Sequence, residues 1–296
     1  MIDRRWVLKS LAALAAAGKV PSRAGTTDDI AALEQASGGR IGVGMLDAGT
    51  GAALGYRENE RFGMCSTFKL PLAALILKAI DDGELQAGRR IVFSEDDLVP
   101  HAPVTKPRLG GEGMTVLELA EAAQVRSDNV AANLLLKLLD GPEGLTRRLR
   151  ALGDTDTRLD RYEPELNLVP PGEERDTTTP RAMARSVAAL LDEQYLSATS
   201  RRRLEGWLVA TRTGLNKLRA GMPGEWRVGD KTGTGIAPSM PNRSNDVATV
   251  WVAGRLFVVA AYVEADAHYN RMRPEDARVL ESIGELASQW IAARLG

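Results

Sequence analysis

Four short stretches carry side chains able to make and break an acyl bond. In Ser66-Thr67-Phe68-Lys69 the serine and lysine are three residues apart, which puts them on one face of a helix. A serine hydroxyl is a weak nucleophile at neutral pH and needs a base beside it. A lysine buried near another cation loses its proton more readily and can serve as that base. The start of a helix also offers free N–H groups to an oxyanion. Phe68, Leu70, Leu72 and Leu75 leave Lys69 little polar face of its own. Ser127-Asp128-Asn129 falls between two apolar runs, and Lys231-Thr232-Gly233-Thr234-Gly235 directly follows a run with strand character. Arg161-Tyr162-Glu163-Pro164-Glu165-Leu166-Asn167 lies in a long stretch without periodicity. Singly, each has a plain structural explanation: a helix cap, a loop, a turn, a solvated carboxylate. Together they supply a nucleophile, two amines, a second hydroxyl and a carboxylate.

The elements that must position them follow from periodicity. Residues 40–46 alternate apolar and small side chains, and Asp47-Ala48-Gly49-Thr50-Gly51 is turn chemistry, so 40–56 reads as a β-hairpin. Helices are expected at 28–37, at 70–80, and from a Thr115–Glu118 capping box to about 125. Asn129 is placed to cap the next, 130–139, whose nearly all-round apolar surface predicts burial. Further helices are expected at 143–152, 180–193 and 274–294. Strands are expected at 226–230, 247–252 and 256–263, the last two joined through Ala253-Gly254-Arg255. Residues 154–178, with Pro164, Pro170, Pro171 and Gly172, form a loop long enough to suggest function. Strands thus lie at both ends of the chain with helices between. The expected fold is α+β: one antiparallel sheet flanked by terminal helices, with an all-α domain inserted and the site between the two. The expected division is 25–60 with 212–296 for the α/β part and 61–211 for the helical part.

Composition narrows the chemistry. The chain has 296 residues, 44% hydrophobic and 26% charged, which excludes disorder, collagen and a disulfide-stapled miniprotein. Cys65 is the single cysteine, so no internal disulfide forms and a cysteine-rich zinc site is excluded. His101 and His268 are the two histidines, which argues against a histidine-based metal centre. A formal charge of −1 without a basic block argues against nucleic acid as partner. No run approaches the roughly 18 apolar residues of a membrane span. Residues 1–24 read as an export signal: Arg4-Arg5, then an apolar stretch from Leu11 to Ala17, then small residues. The paired arginines followed by Leu8-Lys9 resemble a twin-arginine signal, which exports folded protein, here to a bacterial periplasm.

In their order and separations, the S-x-x-K, S-D-N and K-T-G elements match the penicillin-recognising serine enzymes. The Glu163-Pro164-Glu165-Leu166-Asn167 stretch resembles the E-x-x-L-N element of class A β-lactamases, and the resemblance covers about 28–296. It implies hydrolysis of the β-lactam amide of penicillins and cephalosporins, with resistance as the result. By this resemblance Ser66 attacks and forms an acyl-enzyme, and Lys69, or Glu163 through a water, takes its proton. Ser127 passes a proton to the leaving nitrogen beside Lys231. Lys231 and Thr232 hold the substrate carboxylate, a contact open to Ser127 as well; Thr234 is a further substrate-binding residue, and the N–H groups of Ser66 and Thr234 form the oxyanion hole. Asn129 binds the side-chain amide, and Glu163 with Asn167 positions the deacylating water. Arg161 and Asp176 staple the ends of an Ω loop, 161–176. His101 falls where the family places a rim residue. No metal or cofactor is implied, the partners are small β-lactams, and a monomer is the family expectation.

Two departures stand out. Many members place an arginine near the substrate carboxylate; here Lys217 and Arg243 fall near the two usual positions. Some carbapenem-hydrolysing relatives bond a cysteine before the nucleophile to one after K-T-G, where this chain has Gly235. Thr234 is shared with some carbapenemases and resembles the hydroxyl found in some cephalosporinases, so a carbapenem or broad cephalosporin spectrum is an open expectation. A DD-peptidase and a non-catalytic β-lactam sensor share the first three motifs; the Glu163–Asn167 pair argues against both.

Overall fold

A computed structural model describes residues 23–238 and 240–296. The expected export signal lies almost wholly outside them; Arg23 and Ala24 open the first helix, α1 (Arg23–Ser37). The hairpin β1 (Arg40–Asp47) and β2 (Ala53–Tyr56) follows. Helices α2 (Lys69–Asp81), α3 (Val116–Arg126), α4 (Asn129–Leu138), α5 (Gly141–Ala151), α6 (Pro180–Leu190) and α7 (Ala198–Ala210) fill the middle. The chain closes with β3 (Arg227–Gly235), β4 (Arg243–Val252), β5 (Arg255–Glu264) and α8 (Pro274–Ala292). The five strands form one antiparallel sheet in the order β2-β1-β5-β4-β3, so strands from the two ends of the chain pair at its centre.

Both faces of the sheet are buried, and alternation along the strands says against what. Ile41, Val43 and Met45 of β1, with Phe257, Val259 and Ala261 of β5, pack with Ile30 of α1 and Leu280, Ile283 and Trp290 of α8. The intervening positions face the helical half, where Val258, Ala260 and Tyr262 join the core built around α2. Gly42 and Gly44 of β1 face that side too. A Cβ at Gly44 would lie 2.6 Å from the Pro180 carbonyl oxygen, so the absence of a side chain lets the start of α6 rest on the strand backbone. Helix α2 is the axis of the helical core: every residue from Lys69 to Leu77 is buried.

Three details differ from the sequence expectation. Helix α7 was not anticipated, because only Leu204, Trp207 and Leu208 are its buried apolar positions and Arg201-Arg202-Arg203 masks their spacing. The cap of α4 is Asp128, whose carboxylate accepts from the Ala131 N–H; Asn129 is the first helical residue and its side chain is used elsewhere. Strand β3 runs through Lys231-Thr232-Gly233-Thr234 to Gly235, paired throughout with β4; the strand signal in the residues ends at Asp230, while the family resemblance implies a strand over 228–235, as found.

Candidate active site

Ser66 lies on a short 3-10 turn, Cys65–Phe68, that feeds straight into α2. Cys65 takes a left-handed φ of 47° to make the entry. One turn on, Lys69 is fully buried and donates three hydrogen bonds: to Ser66 Oγ at 2.7 Å, to Asn129 Oδ1 at 2.6 Å and to Glu163 Oε1 at 2.7 Å. Every donor of an ammonium is thereby used. Ser66 Oγ also lies 3.5 Å from Glu163 Oε1, so nucleophile, amine and carboxylate share one small triangle.

Ser127 ends α3 in the left-handed conformation, φ 56°, which turns its hydroxyl away from the helix. That hydroxyl accepts from Lys231 Nζ at 3.0 Å. Lys231 is fully buried and also donates to the Thr232 carbonyl at 2.7 Å. Burial pushes its amine well below the usual lysine range, and the charge of Lys69 pushes the same way. Strand β3 passes so close to the nucleophile turn that a Cβ at Gly233 would lie 2.7 Å from the Met64 carbonyl oxygen. Only glycine fits there.

The long loop delivers Glu163. Asp176, fully buried, accepts from the Asp160 and Arg161 N–H groups at 2.8 and 2.9 Å, and the Arg161 guanidinium closes on its other oxygen. Arg161 also reaches across the loop to the Leu168 carbonyl at 2.8 Å. Inside this clasp, Asn167 Nδ2 donates to Glu163 Oε2 at 2.7 Å, while Asn167 Oδ1 is buried without a partner among the described residues. Glu163 thus offers Oε1 to Lys69 and Ser66 and Oε2 to Asn167.

An open cleft of about 680 Å³ connects these groups. Ser66, His101, Ser127, Asn129, Glu163, Asn167, Thr232 and Thr234 all line it. His101 stands exposed at the mouth with a left-handed φ of 63°, its ring beside the Arg126 carbonyl. The two candidate cations part company. Lys217 lines the cleft, with Nζ donating to the Asn245 carbonyl at 3.3 Å. Arg243 is buried under the long loop, paired with Glu264 at 3.1 Å and bonded to the Val169 carbonyl. Cys65 Sγ would lie 2.9 Å from a Cβ at Gly235, so the residue facing the thiol is one that cannot bond to it. Burial raises the thiol to about 11, which keeps it protonated and inert.

The sequence reading did not find Asn133. Its side chain accepts from the Glu163 N–H and donates to the Glu163 carbonyl, both at 2.9 Å, and so fixes the backbone that carries the carboxylate. The signal was present: Asn133 is a polar residue in an apolar helix, four after Asn129 and therefore on the same face. Thr213, whose hydroxyl pairs with that of Thr232 at 2.7 Å, and Ser244 and Arg273 in the cleft wall carry no comparable pattern.

A serine paired with a buried lysine, a second serine–lysine pair across the cleft and a clasped glutamate are the groups of a serine acyl-transfer enzyme. A sequence model of the β-lactamase enzyme family matches residues 25–291, and the chain belongs to that family, within its class A serine enzymes. It is 42% identical over 284 residues to β-lactamase L2 of Stenotrophomonas maltophilia, covering 93% of this chain and 91% of that one. It is 44% identical over 266 residues to the carbapenem-hydrolysing β-lactamase KPC of Klebsiella oxytoca, covering 87% and 88%. An ancestral class A β-lactamase structure superposes with a TM-score of 0.82 at 49% identity, covering 88% of this chain and 98% of that one.

Proposed function

We propose that the protein opens the β-lactam amide of penicillins and cephalosporins through an acyl-enzyme on Ser66, and so confers resistance to them. The single observation that carries this reading is the convergence of Ser66, Lys69 and Asn167 on the two oxygens of Glu163. In acylation, Ser66 Oγ attacks the carbonyl carbon and its proton passes to Lys69 or to the Glu163 side. The ring nitrogen leaves with a proton from Ser127, which Lys231 resupplies; the depressed amine of Lys231 eases that transfer. Backbone N–H groups of Ser66 and Thr234 hold the oxyanion. Lys231, Thr232, Thr234 and Lys217 hold the substrate carboxylate, Asn129 the side-chain amide, and His101 the outer rim. In deacylation, Glu163 and the orphaned Asn167 oxygen hold the water that attacks the ester.

The sheet with its terminal helices (25–60 and 212–296) and the helical part (61–211) act as two walls of the cleft. The paired arginines near the N-terminus support export by the twin-arginine route to the periplasm. A monomer working on small β-lactams is the proposed form. The spectrum extends to carbapenems or broad cephalosporins if imipenem and cefotaxime are consumed by purified enzyme.

The decisive experiment is turnover of a chromogenic cephalosporin by the wild type beside Glu163→Gln. Sustained turnover by the wild type is expected, with the variant releasing one equivalent and stalling. A single burst from both would identify a penicillin-binding peptidase or sensor instead.

A further inference from the structure

Strand β4 reaches both halves of the reacting machinery from one of its faces. Arg243 and Asn245 are two residues apart and so project to the same side. Asn245 Nδ2 donates to the Gly63 and Met64 carbonyls at 2.9 and 3.1 Å, on the segment that leads into Ser66. The buried Arg243 guanidinium donates to the Val169 carbonyl, two residues after Asn167, and pairs through Nε with Glu264 Oε1 at 3.1 Å. Gly63 makes room for it: a Cβ there would lie 3.1 Å from Arg243 Nε and 3.3 Å from Val169 Cβ.

The hold on Val169 is backed by three strands. Arg40 of β1, Glu264 of β5 and Arg243 of β4 lie side by side in register. Glu264 Oε2 accepts from Arg40 Nε at 2.8 Å, and the Arg40 guanidinium stands 3.8 Å over the Phe62 ring and donates to the Arg61 carbonyl at 2.7 Å. The neighbouring Leu168 carbonyl is held by Arg161, which belongs to the loop and so ties the loop to itself. Arg243 ties it to the sheet. Glu163 has its own hold on the helical side, through Asn133 and Lys69. Asn167 lies between these two anchors.

We propose that Arg243 is a positioning residue for deacylation: by anchoring the Val169 carbonyl to β4, it sets Asn167 at a fixed place relative to Ser66, whose approach segment Asn245 holds from the same strand face. The assignment rests on the function proposed above. Because Glu163 keeps Asn133 and Lys69, loss of Arg243 falls on Asn167 and on the water-holding step, while attack by Ser66 is spared. In a two-step acyl-enzyme scheme kcat/KM reports binding and acylation, and decay of the adduct reports deacylation. A residue that merely held the fold together would not separate the two.

The test follows the Ser66 adduct of a cephalosporin by mass spectrometry after rapid mixing, beside steady-state kinetics, in the wild type, Arg243→Ala and Arg243→Lys. Loss of a hydrogen bond from a charged donor gives an expected slowing of adduct decay of about 10-fold in Arg243→Ala, with kcat/KM within about twofold of the wild type. Arg243→Lys keeps a charge beside Glu264 but lacks the fork that serves two acceptors, so it shows the same split at about threefold. Should the alanine variant fail to fold, the lysine variant decides alone. In an Asn167→Ala background, Arg243→Ala adds less than about twofold, since the side chain it positions is gone. Adduct decay at the wild-type rate, an equal fall in decay and kcat/KM, or a full additional loss in the Asn167→Ala background overturns the assignment of Arg243 alone. A wild type that forms no adduct, or one that does not decay, overturns the functional reading beneath it.

Discussion

Lys69 sits at the centre of the site because three acceptors from three different segments meet on one buried ammonium: Ser66, Asn129 and Glu163. Such a group is strongly constrained, since loss of any partner leaves a buried donor or charge uncompensated. Ser127 shows a different constraint. Its left-handed backbone is a conformation that suits glycine, and a serine holds it at a cost on the order of 1 kcal/mol. Ser127→Gly therefore separates stability from catalysis. Its melting temperature should match or exceed the wild type, while kcat falls about 100-fold or more through loss of the hydroxyl bonded to Lys231. Thermal unfolding and steady-state kinetics on one preparation check both parts; a large loss of stability would mean the hydroxyl holds the fold.

At the scale of elements, caps and clasps set where catalytic residues point. Helix α3 starts at a reciprocal box in which Thr115 Oγ1 accepts from the Glu118 N–H and the Glu118 carboxylate accepts from the Thr115 N–H at 2.8 Å. That helix ends at Ser127, so its start is anchored by one motif and its end presents another. The Thr115 N–H, then its hydroxyl, holds the Glu118 carboxyl below its ordinary value of 4.5. A carboxyl lowered on folding stabilises the protein above that ordinary value and loses its contribution as pH falls through the lowered one. The melting temperature of Glu118→Gln should lie below the wild type at pH 7, and the gap should close on going below about pH 4. A gap that is the same at pH 7 and pH 3 would refute the box as a charged contact. Helix α4 illustrates what an element adds. Its apolar run was legible and its burial expected, but only helical spacing sets Asn129 and Asn133 on one face, where the first accepts from Lys69 and the second holds the Glu163 backbone.

Over the whole molecule, the terminal helix and the cleft are joined by bare backbone contacts. A Cβ at Gly284 of α8 would lie 2.1 Å from the Leu218 carbonyl oxygen, and one at Gly221 would lie 2.1 Å from the Glu281 carbonyl oxygen. Two glycines let the helix and the 217–221 turn touch along their backbones, and that turn carries Lys217. Gly284→Ala must push them apart at a cost of about 3 kcal/mol. In a chain of this size that is a fall of about 6–12 °C in melting temperature. Displacement of Lys217 should also raise KM for anionic β-lactams. Calorimetry with kinetics measures both, and an unchanged melting temperature would show that the helix does not depend on this contact.

Motif spacing and periodicity carried the candidate site and much of the architecture. S-x-x-K, S-D-N, K-T-G and the Glu163–Asn167 stretch point to the proposed reacting groups because each role demands a residue type at a fixed local spacing. Strand signals at both ends of the chain dictated a sheet closed by its two halves, as β1 paired with β5 now shows. It took the closed fold to settle which of two cations lines the cleft, that Asp128 and not Asn129 caps α4, and that Asn133 grips Glu163. Those outcomes depend on which face of a strand or helix a residue takes and on what segment, far away in the chain, packs against it. Local spacing carries the first kind of information; contacts such as Arg243 with Val169 or Lys217 with Asn245 exist only once the sheet has closed.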